Sequence, residues 1–289
     1  MPIVKLGNNH GLDPQFFLFS RHLIAFFLSL PIIFLFYRHD FKKTFHLSAL
    51  VKIFLIEFVG IFLSLTLLYQ GLVRTTSIEA NLIGIVYPVF IVIGGIIFLR
   101  EREHKNEFFG LLIILLGTVI ITLQTNSHSE HLLGNSLIFA HTISTAAYYL
   151  FAKKFYRGLN KWVITNLSFF FSTICFFVYN LIFLPQSFAN IHLVFDLSTS
   201  IYPLAAILYM AIPGSVLALT FYLYAQDRIE ASEAAVFNYL QPLFAMPASF
   251  LLLGESVSLR DFIGLIIIAI GLLLANRQLF SRKHLPARR

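Results

Sequence analysis

Glu57 is the most deeply placed carboxylate in the apolar stretches of this chain, a third of the way into the run 49–72. Arg21 lies equally deep in the run before it, 14–37. Ionisable groups are rare and expensive at such depth in a bilayer, so they face a cavity or a partner. The planar guanidinium of Arg21 matches a carboxylate with two bonds, which suits a clamp on an acidic solute. Glu57 could carry a coupling proton. The alternative for both is a structural pair, with each other or with separate partners, because a buried ion needs one.

A second group is spaced for one helix face. His141, Ser144 and Tyr148 stand three, four and seven residues apart, a polar stripe fit to line a cavity. Asn81 and Tyr87 precede Pro88, and Asn238 and Gln241 precede Pro242. These nine residues form the candidate substrate-binding set; Gln70 and Asn166 are weaker candidates, nearer the ends of their runs. Other chemistries are poorly represented. Cys175 is alone, which leaves neither a disulfide framework nor a thiolate metal cluster. No phosphate loop, nucleophile elbow or metal-ligand spacing stands out, and the run Ser127–His131 reads as a solvated loop. An enzyme would show catalytic groups clustered in a surface loop, and none is visible; no cofactor is expected.

The elements that position these side chains are apolar almost throughout. Hydrophobic residues make up 58% of the 289 and charged residues 12%, against about 45–50% and 25% in soluble proteins. Nine runs approach the roughly 20 residues that span a bilayer as a helix: 14–37, 49–72, 78–99, 108–124, 136–152, 162–184, 200–225, 231–253 and 262–280. Backbone groups in lipid must bond within their own segment, and the alternating pattern of barrel strands is missing, so the runs predict helices. The expected fold is an all-α polytopic membrane protein surrounded by the lipid bilayer.

The runs repeat. Tyr69–Gly117 lies on Leu223–Gly271 at a gapless offset of 154 residues. Arg74 falls on Arg228, Glu79 on Glu233, Pro88 on Pro242, Glu101 on Glu255, Gly110 on Gly264 and Gly117 on Gly271. Apolar residues match by chance between membrane segments, but Arg, Glu, Pro and Gly in fixed register do not match so easily. Lys and Arg crowd alternate loops: Arg38, Lys42, Lys43 and Lys52; Arg100, Arg102 and Lys105; Lys153, Lys154, Arg157 and Lys161; and the C-terminus from Arg277 to Arg289. The intervening loops hold Lys5, Arg74 and Arg260. This positive-inside pattern places the basic loops and the C-terminus in the cytoplasm, and it accounts for the net charge of +7 without nucleic acid. It also puts loop 100–107 inside and its counterpart 254–261 outside, so the two copies are expected to be inverted, the arrangement that supports alternating access in transporters.

Ala80, Pro88, Leu99, Glu101, Gly110 and Gly117, with Glu233-Ala234-Ala235, Leu240-Gln241-Pro242-Leu243-Phe244, Leu253-Gly254-Glu255 and Phe262-Ile263-Gly264, resemble the EamA repeat of the drug/metabolite transporter superfamily. Arg21 and the apolar run after it resemble that family's second transmembrane helix. The resemblance covers nearly the whole chain. It implies two inverted five-helix repeats, a first over 1–124, a second over 136–280 and a basic tail over 281–289. The counterpart of helix 136–152 would fall before Met1, so the first of ten helices is expected to be missing and nine remain. Pro2–Gly7 resembles its tail end. Either the chain starts at an internal Met of a longer frame or it is a nine-helix variant; truncation is the expectation, because a lost helix would open a polar cavity to lipid.

Local physics accounts for much of the motif. Pro88 and Pro242 should kink their helices, and Pro213-Gly214 should break the seventh. Glu79 and Glu233 suit helix first turns, Gly254 a helix stop, and Glu101 and Glu255 the membrane surface, as structural or gating groups. The glycine pairs seven apart permit close packing inside the chain or, alternatively, a homodimer contact. Phe is abundant, with 33 residues, and reads as packing and lipid-facing bulk rather than as an aromatic cage. The function expected is transport of a small organic solute (amino acid, metabolite or drug, with export as the direction) across the inner membrane, coupled to a proton or a second solute. An uptake or exchange carrier of the nucleotide-sugar type, and a membrane channel or enzyme, are the competing readings.

Overall fold

The computed structural model describes residues 2–84, 86–99, 109–110, 112–113, 116, 129–192, 201–228, 241–255 and 259–275. Among them the regular elements are all helical: α1 (Pro2–Asn9), α2 (Pro14–Phe36), α3 (Arg38–Thr44), α4 (Leu47–Arg74), α5 (Ser77–Gly84), α6 (Tyr87–Gly94, prolonged by a wider turn over Gly95–Leu99), α7 (Ser129–Phe155), α8 (Lys161–Phe183), α9 (Tyr202–Gln226), α10 (Gln241–Leu253) and α11 (Leu259–Ala275). Helices α2, α4, α8 and α9 are each long and apolar enough to cross a membrane. Helix α7 is long as well, at 27 residues, but its polar stripe keeps it out of that set.

Sequence signals set the boundaries. Asp13 caps α2, its carboxylate accepting from the amides of Gln15 at 2.8 Å and Phe16 at 3.0 Å, with Pro14 at the first position where its missing N–H is harmless. Asn160 caps α8 in the same way. Gly254 has φ +66°, the left-handed conformation that ends α10 as expected. The predicted kink at Pro88 is a full break. One helix ends at Gly84 and the next starts at Tyr87, with Pro88 in its first turn where it removes no hydrogen bond. At Pro213 the chain stays helical but widens into a π-turn over Ile212–Leu217, because the proline has no N–H for the ladder. A second π-turn, Phe58–Leu63, opens α4 directly after Glu57.

Helix α2 packs most extensively on α8, and α4 on α7. The termini sort by charge. At one end Asn160 donates to Asp40 at 2.8 Å and Lys161 pairs with Asp227 at 2.7 Å, so the loops holding Arg38, Lys42, Lys43, Lys153, Lys154 and Arg157 lie together. At the other end Lys5 pairs with Glu255 at 3.2 Å, and Thr75 donates to Asn135 at 2.7 Å. The described members of the repeated glycine pairs, Gly110, Gly264 and Gly271, are buried within the chain, which fits the packing reading.

Candidate functional site

Helix α4 presents polar side chains at intervals to α7 and α2, and these form the wall of a cavity of about 390 Å³ inside the bundle. Of the nine predicted residues, Arg21, Tyr87, His141 and Tyr148 line it. Glu57, Ser144 and Asn81 are buried but stand behind or beside it. The side chain of Gln241 and the whole of Asn238 lie outside what is described.

Arg21 is 6% exposed. Its Nη1 donates to the Tyr69 hydroxyl at 2.8 Å, its Nε is buried without a partner, and no carboxylate pairs with it among the described residues. His22, the next residue, also lines the cavity; its Nδ1 lies 2.7 Å from the Leu18 carbonyl and its ring rests against Phe169 and Phe176. Beyond Tyr148 and Tyr87 the wall is completed by Tyr149 and Tyr222, whose ring centroids are 4.2 Å apart. Among the described residues the cavity therefore offers one guanidinium, Arg21, in a lining of tyrosines, hydroxyls, two histidines and aliphatic side chains.

Midway along α4, His141 and Ser64 join the helices. The His141 Nδ1 is 2.7 Å from Ser64 Oγ and 2.9 Å from the Ser64 carbonyl. A carbonyl can only accept, so this contact suits a proton on Nδ1 and puts the acceptor of the neutral ring on Nε2. Ser144 donates to the Val59 carbonyl at 2.7 Å. The predicted stripe is thus one face, as spaced, but it serves as the seam with α4 as well as the cavity wall. Asn81 donates to the Ser77 carbonyl at 2.7 Å, one turn back in its own helix.

Glu57, 1% exposed, occupies a hydroxyl cage. Its Oε1 accepts from Tyr156 and Ser168, each at 2.7 Å, and from Tyr148 at 3.5 Å. Tyr148 is the partition: its ring faces the cavity and its hydroxyl points at Glu57. Gly60 makes this seat possible, since a Cβ there would lie 2.1 Å from the Tyr148 ring. The pairing of Glu57 with Arg21 that the sequence left open does not form. The Arg21 partner Tyr69 stands 12 residues from Glu57 along α4, roughly 18 Å at the helical rise.

His22, Tyr69, Tyr149 and Tyr222 were not in the predicted set. His22 could have been found by the rule that picked Arg21, being ionisable in the same apolar run. The tyrosines carry no such signal, because a membrane Tyr reads alike whether it faces lipid, headgroups or a cavity.

At the opposite end from the basic loops, Glu255 crosses from the end of α10 to the N-terminus of α5. It accepts from the amides of Ser77 at 2.9 Å and Ile78 at 3.1 Å, while Ser249 donates to Ser77 at 3.1 Å. Lys5 binds both Glu255 and, at 2.6 Å, the Thr75 carbonyl. A carboxylate on two free helix amides satisfies the helix terminus and its dipole together.

The EamA-like transporter family matches residues 2–123 and again 132–277, and the chain belongs to that family. It is 26% identical over 229 residues to an uncharacterized transporter of Archaeoglobus fulgidus, covering 79% of this chain and 78% of that protein. It is 27% identical over 224 residues to the uncharacterized transporter YcxC of Bacillus subtilis, covering 75% and 70%. A solved crystal structure superposes with a TM-score of 0.67 at 15% identity over 97% of this chain and 95% of that one, a likeness of fold.

Proposed function

We propose, from membership of the EamA-like transporter family, that this membrane transporter moves a small organic solute with an acidic group through the Arg21 cavity by alternating access. The observation that carries the reading is Arg21 itself. A buried guanidinium held by one phenol hydroxyl, with no carboxylate beside it among the described residues, has donors left for an anionic group. The tyrosines around it suit the apolar or ring portion of a solute, and the volume of about 390 Å³ falls within the roughly 300–1,000 Å³ of small-molecule sites.

Glu57 is the proposed coupling group. Its cage serves two protonation states, because a hydroxyl can donate to the carboxylate or turn to accept from the acid. Tyr148 connects it to the cavity. The Glu255 latch is the proposed closure on one side, and the inverted repeats implied by the charge distribution would rock about the cavity. In the proposed orientation the basic end is cytoplasmic and the latch faces outward, in the inner membrane of a bacterial cell or its equivalent. The family resemblance gives export as the proposed direction.

Thermal unfolding of the purified protein with amino acids, other organic acids, nucleosides and cationic drugs tests the site. A solute at a hundred times its Kd stabilises by about 2.7 kcal/mol. We expect stabilisation by carboxylate-bearing solutes and its loss in Arg21→Gln, since charge-assisted hydrogen bonds contribute roughly 1.5–3 kcal/mol each. Stabilisation by organic cations alone, or undiminished in Arg21→Gln, would overturn the reading.

A further inference from the structure

A second cavity, of about 490 Å³, lies away from the first, between α2, α3, α4 and α8. Its walls are Phe26, Phe41, Phe45, Val51, Phe54 and Phe170 with their aliphatic neighbours. Asn166 is the one polar residue of the lining, and its amide is turned away from it, donating to Ser29 Oγ at 2.9 Å and to the Phe26 carbonyl at 3.3 Å. Nothing in this lining would bind a polar solute. Phe45, Val51 and Phe170 are all well exposed, so the cavity opens toward the surroundings of the bundle, which for this protein are lipid.

The rim has the opposite character. The short helix α3 and the start of α4 carry Lys42, Lys43, His46 and Lys52, all exposed, interleaved with the lining residues Phe41, Phe45 and Val51. Among the described residues two carboxylates lie near this edge: Asp227 is paired with Lys161, and Asp40, which accepts from the neutral Asn160 amide, offsets one of the cations. An apolar slot under a rim on which Lys42, Lys43 and Lys52 outnumber the one carboxylate, Asp40, matches one occupant in both parts.

We propose that this cavity is a binding site for an anionic phospholipid, with an acyl chain between the phenylalanines and the headgroup phosphate held by Lys42, Lys43 and Lys52. Each lysine near such a headgroup contributes about 1 kcal/mol, or roughly fivefold in affinity. The chain sits where it bridges α2, α4 and α8, the helices that carry Arg21, Glu57 and Ser168, so occupancy would brace the proposed transport site from its lipid side. The inference does not rest on that site being correct.

Native mass spectrometry of the full chain, released from detergent with added phosphatidylglycerol or phosphatidylcholine, reads it directly. The wild type should retain phosphatidylglycerol at least fivefold more than phosphatidylcholine. Val51→Trp, which fills the slot, should lose both lipids. The triple change Lys42→Gln, Lys43→Gln, Lys52→Gln should bring phosphatidylglycerol down to the phosphatidylcholine level, while Lys153→Gln with Lys154→Gln, at the same end but off the slot, should not. Equal retention of the two lipids by the wild type overturns the proposal. So does unchanged binding in Val51→Trp, or a preference removed by the Lys153/Lys154 pair instead. Should Val51→Trp fail to fold, the lysine variants leave the packing untouched and decide the matter.

Discussion

Arg21 and Glu57 were legible in the sequence because an ionisable group in an apolar run has few bland explanations. Their relationship was not legible. Each was given the other as an alternative partner, and the fold separates them by placing one against Tyr69 and the other against Tyr148, Tyr156 and Ser168. Hydroxyl partners come from four different helices or turns, and no spacing within one run records that. Two predictions belong to this scale. Glu57→Gln keeps the size of the side chain but removes the titrating group. In proteoliposomes carrying a solute identified by thermal stabilisation, the variant should still exchange solute across equal pH and lose the stimulation by a pH gradient. Stimulation equal to wild type would remove Glu57 from the coupling step. Gly60→Ala forces a Cβ to within 2.1 Å of the Tyr148 ring. Overpacking of this kind costs about 1–3 kcal/mol. A lower Tm together with slowed transport is expected, and an unchanged Tm would mean that Tyr148 has another seat.

At the scale of elements, the apolar runs located the long apolar helices α2, α4, α8 and α9 to within about two residues, while the short helices α1 and α3 lie outside every run, α3 in a basic segment read as a loop. Helix α7 extends seven residues before the run that announced it, because Ser129–Asn135 is helical but polar: Asn135 accepts from Thr75, and His131 approaches Glu79 at 3.7 Å. The role of Glu255 was half legible. Its place after a helix stop suggested a structural or gating group, but the helix that it caps lies 177 residues away in sequence and belongs to the other copy. If this contact is a gate, Ser77 and Ser249, whose oxygens are 3.1 Å apart, report its closure. In a Cys175→Ser background, Ser77→Cys with Ser249→Cys should form a disulfide in membranes and arrest transport, with recovery on reduction. Glu255→Gln should lower the yield of that cross-link by weakening the capping hydrogen bonds. The offset of 154 residues carries Glu255 to Glu101 and Ser77–Ile78 to Ala231–Ser232, outside the described residues. Glu101→Gln is therefore expected to favour the latched state and raise the same cross-link, and a fall in both variants would argue against paired gates.

For the whole molecule, charge segregation is the property the sequence carries most fully, because it is a sum over loops and survives uncertainty about any one of them. The fold gathers the basic segments 38–52 and 153–161 at one end through the Asn160–Asp40 and Lys161–Asp227 contacts, while at the opposite end Lys5 pairs with Glu255 and Arg74 donates to Gln70. Lysine and arginine near span ends fix orientation during insertion. The basic end should then be cytoplasmic, which places the Glu255 latch outside and the proposed lipid site in the cytoplasmic leaflet, where anionic headgroups attract such segments. Single cysteines in the Cys175→Ser background separate the two orientations. His10→Cys, exposed at the end of α1 against Tyr202, should react with an impermeant maleimide on intact cells, whereas Lys43→Cys should react only after permeabilisation. The reverse pattern would invert the membrane assignment and make the latch an inner closure, leaving the cavity and its residues where they are. Labelling of both positions from outside would instead require two populations of opposite orientation. A balance that close should tip when charge is removed from one end, so Lys42→Gln with Lys43→Gln would shift the ratio of the two populations if both exist and leave the pattern unchanged if the remaining basic loops suffice to fix a single orientation.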